Sequence, residues 1–474
     1  MIARAFRWTA GIVIGAALAI FVVLVWLTAS ESGARWLLAQ ASSRLPEALS
    51  VESVDGTLLR GLQLRNVAWR DPSATASIAE LAIHLELLPL LKREMLITSL
   101  AIKNAEVTTQ EGTEPEEPSA PLSVDIPVTL RLENGSVTSL RIATPGSEFL
   151  IDSIQLAAEL AGATLDLQRF DVQSTLADVA LSGNVLLTGD YQTRVSAGWE
   201  LRLQDRAPLS GILGIRGNAS RYEIEHDLDA PYAIATRGTV ALAQAGISLD
   251  LENQWSLIRI ERADAADLEL SAGVLRLVGK PDNLDFDAET SLSAADIPPV
   301  SLQTRGTFDG DEIALAMLRV SNDWGQLLAD GVLGLTSGPS WSLNFSLDEL
   351  NPEFADPRLR GELEIEARTS GRLVDGAPDL NLIIDRISGE LNAYPVAGNA
   401  AVTYKNDRLQ VDNAVLGVGD NRINIGGAYG PGLQGDGQLQ LADLGQLGLG
   451  IDGSVDAEFR IESEQDEFAA SGYI

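Results

Sequence analysis

From about residue 50 onward the chain alternates apolar and polar side chains again and again. The clearest stretch is Trp341-Ser-Leu-Asn-Phe-Ser-Leu-Asp348. Trp341, Leu343, Phe345 and Leu347 are apolar, and the residues between them are polar. A strand sends successive side chains to opposite faces, so this pattern makes one greasy face and one wet face. Leu81 to Leu87, Leu284/Phe286/Ala288, Leu363/Ile365/Ala367, Leu380/Leu382/Ile384 and Leu409/Val411 repeat it. Turn signals separate such runs: Asn134-Gly135, Thr188-Gly189-Asp190, Lys280-Pro-Asp-Asn283, Asp309-Gly310 and Lys405-Asn-Asp407. Leu88 to Met95 reads as a short helix or turn between two strands. After residue 100 no sustained amphipathic helical pattern intervenes. A parallel β-α-β build is therefore not expected, and an antiparallel meander is.

Degenerate repeats run through this sheet. Gly183-Asn-Val-Leu-Leu, Gly273-Val-Leu-Arg-Leu, Gly331-Val-Leu-Gly-Leu and, more weakly, Gly427-Ala-Tyr-Gly open alike. The second and third lead through a turn to alternating partner strands. Gly306 and Gly361 are 55 residues apart, as are Gly398 and Gly453. Growth by addition of hairpins fits this pattern.

The N-terminal part is different. Trp8 to Leu27 is apolar and uncharged. At ~1.5 Å per residue such a run spans ~30 Å, the hydrocarbon core of a bilayer, and it exceeds a usual signal-peptide core. Its expected anchor positions include Trp8, Gly11, Gly15, Phe21 and Trp26, with Gly11 and Gly15 on a small-residue face. Arg4 and Arg7 precede the run, which places the short N-terminus in the cytoplasm and the bulk outside it. Ser30 is a helix cap for an amphipathic segment to about Leu45, stopped by Pro46. Gln110 to Pro121 is acidic and Pro-rich and reads as a mobile surface loop. The expected divisions are 1–29 (cytoplasmic tip and transmembrane anchor), 30–48 (juxtamembrane helix), 49–109 (first β segment), 110–121 (loop) and 122–474 (repetitive sheet). The chain stops at what looks like the start of another strand, as a fragment of a longer protein would.

Charge and chemistry narrow the function. A net charge of −33 opposes any role in tracking nucleic-acid phosphates. There is no Cys, so disulfide frameworks, thiolate metal sites and Cys nucleophiles are excluded. His84 falls on the wet face. His226 shares its parity with Tyr222, Ile224 and Leu228 at the edge of an apolar face. Neither has the helical partner of a zinc protease site. No nucleophile elbow, phosphate loop or dinucleotide fingerprint is present. Glu362, Glu364 and Glu366 line one strand face and read as a solvated surface with basic cross-strand neighbours. Asp420-Asn-Arg-Ile is an ordinary turn. A non-enzymatic protein without a cofactor is expected.

What is left is apolar area. A one-sided sheet must pack on a second sheet, close into a barrel, or curl on itself. A sheet that curls without closing leaves an apolar trough suited to acyl chains, which need burial rather than directional bonds. Its open edges could instead take up a partner strand. The candidate groove lining is Leu284, Phe286, Trp341, Leu343, Phe345, Leu347, Leu363, Ile365, Leu382, Ile384, Leu409 and Val411.

The N-terminal part resembles the TamB-type translocation and assembly module proteins of the AsmA-like superfamily. The resemblance rests on an ordered set of segments. These are the apolar run, the Ser30 to Leu45 helix, Val54-Asp-Gly-Thr-Leu-Leu-Arg-Gly61 onward to Trp69, Leu81 to Leu87 and Ile97 to Val107. The acidic loop, Pro121 to Leu130 and Leu132 to Val137 complete it. Beyond residue 140 it continues in repeat style alone, as in Ile387 to Val396. It implies a mainly β protein: a transmembrane helix followed by an elongated, curled antiparallel sheet, a taco-like trough. It further implies a single-pass inner-membrane protein with its bulk in the periplasm, whose groove carries phospholipid between inner and outer membranes. The alternative implied role is assistance to outer-membrane β-barrel or autotransporter insertion and protein secretion by strand addition. The implied partners are phospholipid, the inner membrane and, through a C-terminal region absent here, an Omp85-type (TamA-like) outer-membrane protein.

Overall fold

The computed structural model describes residues 28–33, 35–36, 49–70, 74–109, 126–144, 146–203, 206–243, 246–261, 266–295, 297–336, 338–374, 376–430, 432–448, 450–464 and 467–473. The apolar run with Trp8, Gly11, Gly15, Phe21 and Trp26 lies outside them, as does the Gln110 to Pro121 loop. Among the described residues no helix is long and apolar enough to cross a membrane. Ser30 Oγ accepts the Gly33 N–H at 3.0 Å, as expected of a cap. The chain divides into two units, Met1–Pro231 and Tyr232–Ile474.

The first unit carries β1 (Leu49–Thr57), β2 (Gly61–Arg70), β3 (Ala74–Glu86), β4 (Glu94–Thr109), β5 (Ile126–Thr144) and β6 (Ser147–Gly162). It continues with β7 (Thr164–Ser174), β8 (Ala177–Leu186), β9 (Thr193–Leu201), β10 (Leu209–Asn218) and β11 (Arg221–Ala230). Each strand pairs with the next in the chain. A short 3-10 turn, Leu88–Lys92, links β3 to β4 where a short helix or turn was expected.

One pair departs from the antiparallel expectation. β4 and β5 run parallel, with Glu94 beside Thr129 and Thr108 beside Ala143. A hairpin turn cannot join parallel strands. They need a connection of roughly a dozen residues or more, and residues 110–125 supply that length. Asn134-Gly135 is a second correction. It is no turn but sits inside β5, where the register shifts between Leu132 and Gly135. Glycine serves close packing there: a Cβ on Gly135 would stand 2.9 Å from Leu132 Cδ2 and 3.1 Å from the Leu156 carbonyl oxygen. Asn134 Nδ2 donates to the Thr98 carbonyl on β4 at 3.2 Å.

The second unit carries β12 (Ile234–Ala243), β13 (Gly246–Ile260), β14 (Leu268–Lys280), β15 (Asn283–Ala294), β16 (Ile297–Phe308), β17 (Glu312–Asn322), β18 (Gly325–Gly334) and β19 (Ser340–Leu350). Then follow β20 (Gly361–Val374), β21 (Ala377–Leu391), β22 (Tyr394–Lys405), β23 (Arg408–Val418), β24 (Asn421–Tyr429), β25 (Gly432–Leu441), β26 (Val455–Glu464) and β27 (Glu467–Tyr473). Consecutive strands pair antiparallel throughout. The expected turns recur here. Asn406 and Asp407, between β22 and β23, have φ of 50° and 55°, as a twist-matched two-residue hairpin requires.

The Gly-Val-Leu segments do lead into hairpins: Gly273 lies in β14 before β15, and Gly331 in β18 before β19. Gly331 has φ of 138°, and a Cβ there would stand 2.1 Å from the Ser342 carbonyl oxygen of β19. Only glycine lets the two backbones approach so closely. The 55-residue spacing has a counterpart as well: Gly306 and Gly398 lie inside β16 and β22, and Gly361 and Gly453 stand at the start of β20 and just before β26, four strands on in each case.

Among the described residues no large side chain is fully buried, and the most extensive contacts between elements join ladder neighbours. Most apolar side chains of the strands are half-buried.

Candidate functional site

Residues directly opposite across a ladder share a face, so the registers trace rows across the sheet. In the second unit one row runs Leu284, Phe308, Ile313, Leu333, Trp341, Gly371, Leu380, Tyr404, Leu409. The next runs Phe286, Gly306, Leu315, Gly331, Leu343, Thr369, Leu382, Val402, Val411. Phe345 with Ile384 shares a third row through Ala367, Leu347 with Ile365 a fourth, and Leu363 opposite Leu350 a fifth. All twelve residues picked out in the sequence therefore lie on one face, spread from β15 to β23. Eleven of them are half-buried and Leu409 is exposed. The face is apolar and remains partly open to solvent.

Aromatic rings fill the low points of this face. Trp255, Phe286, Trp341 and Phe459 each stand opposite a glycine: Gly273, Gly306, Gly371 and Gly437. In each case a Cβ on the glycine would meet the ring, at 2.3 Å, 2.7 Å, 2.4 Å and 2.4 Å respectively. Each ring thus covers the glycine instead of standing off the sheet, which shields bare backbone and levels the apolar surface. Trp341 Nε1 also donates to Thr369 Oγ1 at 3.1 Å, so its polar edge is satisfied within the face.

Other members of the face were missed because the alternation changes phase. β21 shifts register between Ile384 and Ile387, and β23 between Val411 and Ala414. A bulge inserts a residue and flips everything after it. Ile387 therefore joins the row of Leu347 and Ile365, although strict alternation from Ile384 puts it on the wet side. Leu416, Ile423 and Leu439 extend that row. The available signal was a pair of apolar residues three apart, as at Leu315/Leu318 and Ile384/Ile387.

Two 3-10 turns are held against strand ends of this unit. Past β19 the 3-10 turn Pro352–Phe354 begins with Asn351 accepting the Glu353 N–H, and Phe354 packs on Trp324 at 5.6 Å between ring centroids. A second turn, Leu444–Leu447, is held to the β23–β24 hairpin. Asn421 Nδ2 donates to the Asp443 carbonyl at 2.9 Å, and Asn421 Oδ1 accepts the Asp443 N–H at 3.0 Å. Gln446 Oε1 accepts the Asp420 N–H at 2.9 Å. Val396 and Val418, paired on β22 and β23, are buried.

The opposite face is charged. Arg386 pairs with Glu366 at 2.5 Å, Arg368 with Asp385 at 3.2 Å and Arg276 with Asp250 at 3.1 Å. Ser388 Oγ donates to Glu364 Oε2 at 3.4 Å. Glu366 thus has the expected basic cross-strand neighbour, whereas Glu364 stands opposite Ser388 and Glu362 opposite Glu390. These pairs are exposed and keep the wet face solvated more than they stabilise it.

The first unit repeats the arrangement. One row runs Val54, Leu64, Leu81, Ile102, Val137, Ile154, Val172, Val179, Trp199, Gly211, Leu228. His226 lies on this apolar face opposite Leu213. It stacks on Trp199 at 5.7 Å between ring centroids and accepts its indole N–H at 3.3 Å. His84 is exposed on the other face. On the wet face Arg202 hydrogen-bonds the Asp178 carboxylate and holds its pKa below the ordinary value.

No convergent set of catalytic groups accompanies these faces among the described residues; what each unit presents is apolar area along aligned rows. No solved structure matches the chain. The family model described as TamB, N-terminal domain, matches residues 20–149 and 124–467. The matches span both units and nearly every strand above, and the chain belongs to the TamB N-terminal domain family.

Proposed function

We propose that this protein is a non-enzymatic, inner-membrane-anchored periplasmic scaffold whose apolar sheet face carries phospholipid between the inner and outer membranes. The observation that carries this reading is the set of continuous, half-covered apolar rows, on which all twelve candidate residues from Leu284 to Val411 fall. Acyl chains suit such a surface because each buried CH₂ contributes ~0.8 kcal/mol without a directional bond. Curling of the sheet would turn the face into a trough, with the charged face outward. The apolar run Trp8 to Leu27 is the proposed anchor, with the N-terminus cytoplasmic. An Omp85-type (TamA-like) outer-membrane protein is the proposed partner at the far membrane.

A photocrosslinker at Phe345 tests this in cells. Capture of phospholipid is expected, and Leu343→Asp is expected to block lipid passage while the protein folds. Absence of lipid at Phe345, with Leu343→Asp fully functional, would remove the groove reading. If Lys or Pro on edge strand β1 then abolished function, strand addition to a client β-protein would take its place.

A further inference from the structure

We infer that the 3-10 turn Leu88–Lys92 is a second membrane contact, dipping its leucines into the lipid interface beside the N-terminal anchor. This rests on the anchor reading and adds a site to it. In a 3-10 helix residues i and i+3 eclipse, so Leu88 and Leu91 project on one side. They are 81% and 87% exposed, more than any other large hydrophobic among the described residues. The turn is built rather than frayed. Pro89 occupies its first turn, the Leu90 N–H donates to the Leu87 carbonyl at 3.2 Å, and the Arg93 N–H to the Leu90 carbonyl at 3.0 Å. Two leucines held side by side in water by a defined turn offer a small apolar contact.

Position selects the partner. The apolar run ends at Leu27, and the next residue, Thr28, accepts the Leu59 N–H at 3.1 Å. Leu59 lies in the β1–β2 turn. β2 begins at Gly61, where a Cβ would stand 2.8 Å from His84 Nδ1 on β3. The Leu88–Lys92 turn starts four residues beyond His84. One strand spacing across and about four residues along place it on the order of 15 Å from the point where the chain leaves the run. Leu59 and Trp36 are both exposed; Arg35, next to Trp36, donates to the Val54 carbonyl of β1 at 3.3 Å, and tryptophan favours the membrane–water interface. In a chain of net −33, Arg60, Lys92 and Arg93 are exposed at this end, along with Glu31 and Asp55, and Glu31 is paired with Arg35 at 3.8 Å. Glu86 and Glu94 flank the turn, and Glu94 is paired with Arg131 at 3.4 Å. Leucines beside Lys92 and Arg93 suit the interface of a bilayer, where apolar side chains enter and basic ones stay at the headgroups.

The chain has no cysteine, so single Cys probes report cleanly. The full chain with Leu91→Cys, labelled with an environment-sensitive fluorophore, is reconstituted into phosphatidylethanolamine/phosphatidylglycerol vesicles. The control is Leu176→Cys, an exposed site in the β7–β8 turn at the opposite end of the same sheet. Blue-shifted emission and quenching by nitroxide-labelled lipid are expected at position 91 and not at 176. Lys92→Glu with Arg93→Glu should lower the lipid quenching at least two-fold. A chain that floats with vesicles while position 91 stays water-like overturns the second contact and leaves the anchor standing. A blue shift without lipid quenching, which would mean a protein partner, overturns it too. A chain that fails to float overturns both.

Discussion

The Trp341 ring covers Gly371 on the neighbouring strand, with Cζ2 2.4 Å from where a Cβ would lie. The same Cβ would come within 2.6 Å of the Asp379 carbonyl oxygen, so neither side can give way freely. Gly371→Ala should therefore destabilise the protein by about 1–3 kcal/mol, the range for overpacking. Thr369→Val, which removes the acceptor of the indole N–H, should cost about 1 kcal/mol. Denaturant titration followed by tryptophan fluorescence checks both. An unchanged midpoint for Gly371→Ala would mean that the ring stands elsewhere.

Asn421 ties the β23–β24 hairpin to the Leu444–Leu447 turn. It is only 3% exposed and bonds both the carbonyl and the N–H of Asp443. Asn421→Ala leaves those backbone groups without their partner, and each unsatisfied group costs roughly 1–3 kcal/mol. The expected result is a lower denaturation midpoint, with faster amide exchange at Asp443 and over residues 444–447. Loss of stability without faster exchange there would place the effect elsewhere.

Ala393 offers a change of opposite sign. It sits in the β21–β22 turn with φ of 67°. A side chain in this left-handed region costs roughly 1–2 kcal/mol, whereas glycine adopts it freely and loses roughly 0.5–1 kcal/mol through chain entropy. Ala393→Gly should raise stability by about 0.5–1 kcal/mol, and Ala393→Val should lower it. Thermal or urea unfolding of the pair of variants gives the sign directly.

Asp356 carries a defined pH dependence. The Arg358 guanidinium hydrogen-bonds its carboxylate at 2.6 Å, and with the Arg358 backbone N–H it lowers the pKa to about 2. A depressed carboxylate contributes stability that is present above its unfolded value of ~3.9 and is lost as pH falls through the folded one. Stability linked to this pair should hold above about pH 4 and disappear toward pH 2. Carbon-13 titration of Asp356 should show Arg358→Gln moving the midpoint up toward the ordinary carboxylate range.

Much of the sheet was legible in the chain because alternation is local. A strand places residue i and residue i+2 on one face whatever lies beside it. Trp341, Leu343, Phe345 and Leu347 could thus be grouped without a partner in view, and so could Leu380, Leu382 and Ile384. The hairpins at Lys280 to Asn283 and Lys405 to Asp407 were equally local, set by residues that tolerate turn geometry.

Tertiary structure decided what depends on a neighbour. Whether Ile387 follows Ile384 onto the apolar face is settled by a bulge against β22, which exists only in the ladder. The parallel pairing of β4 with β5 and the place of Asn134-Gly135 inside a strand rest on contacts across a long connection. Trp341 was legible as an apolar residue; that its ring covers Gly371, 30 positions away, was not. Alternation is carried by the backbone of one strand, whereas phase, register and cover arise between strands, where close approach and hydrogen bonding choose among sequences with the same pattern.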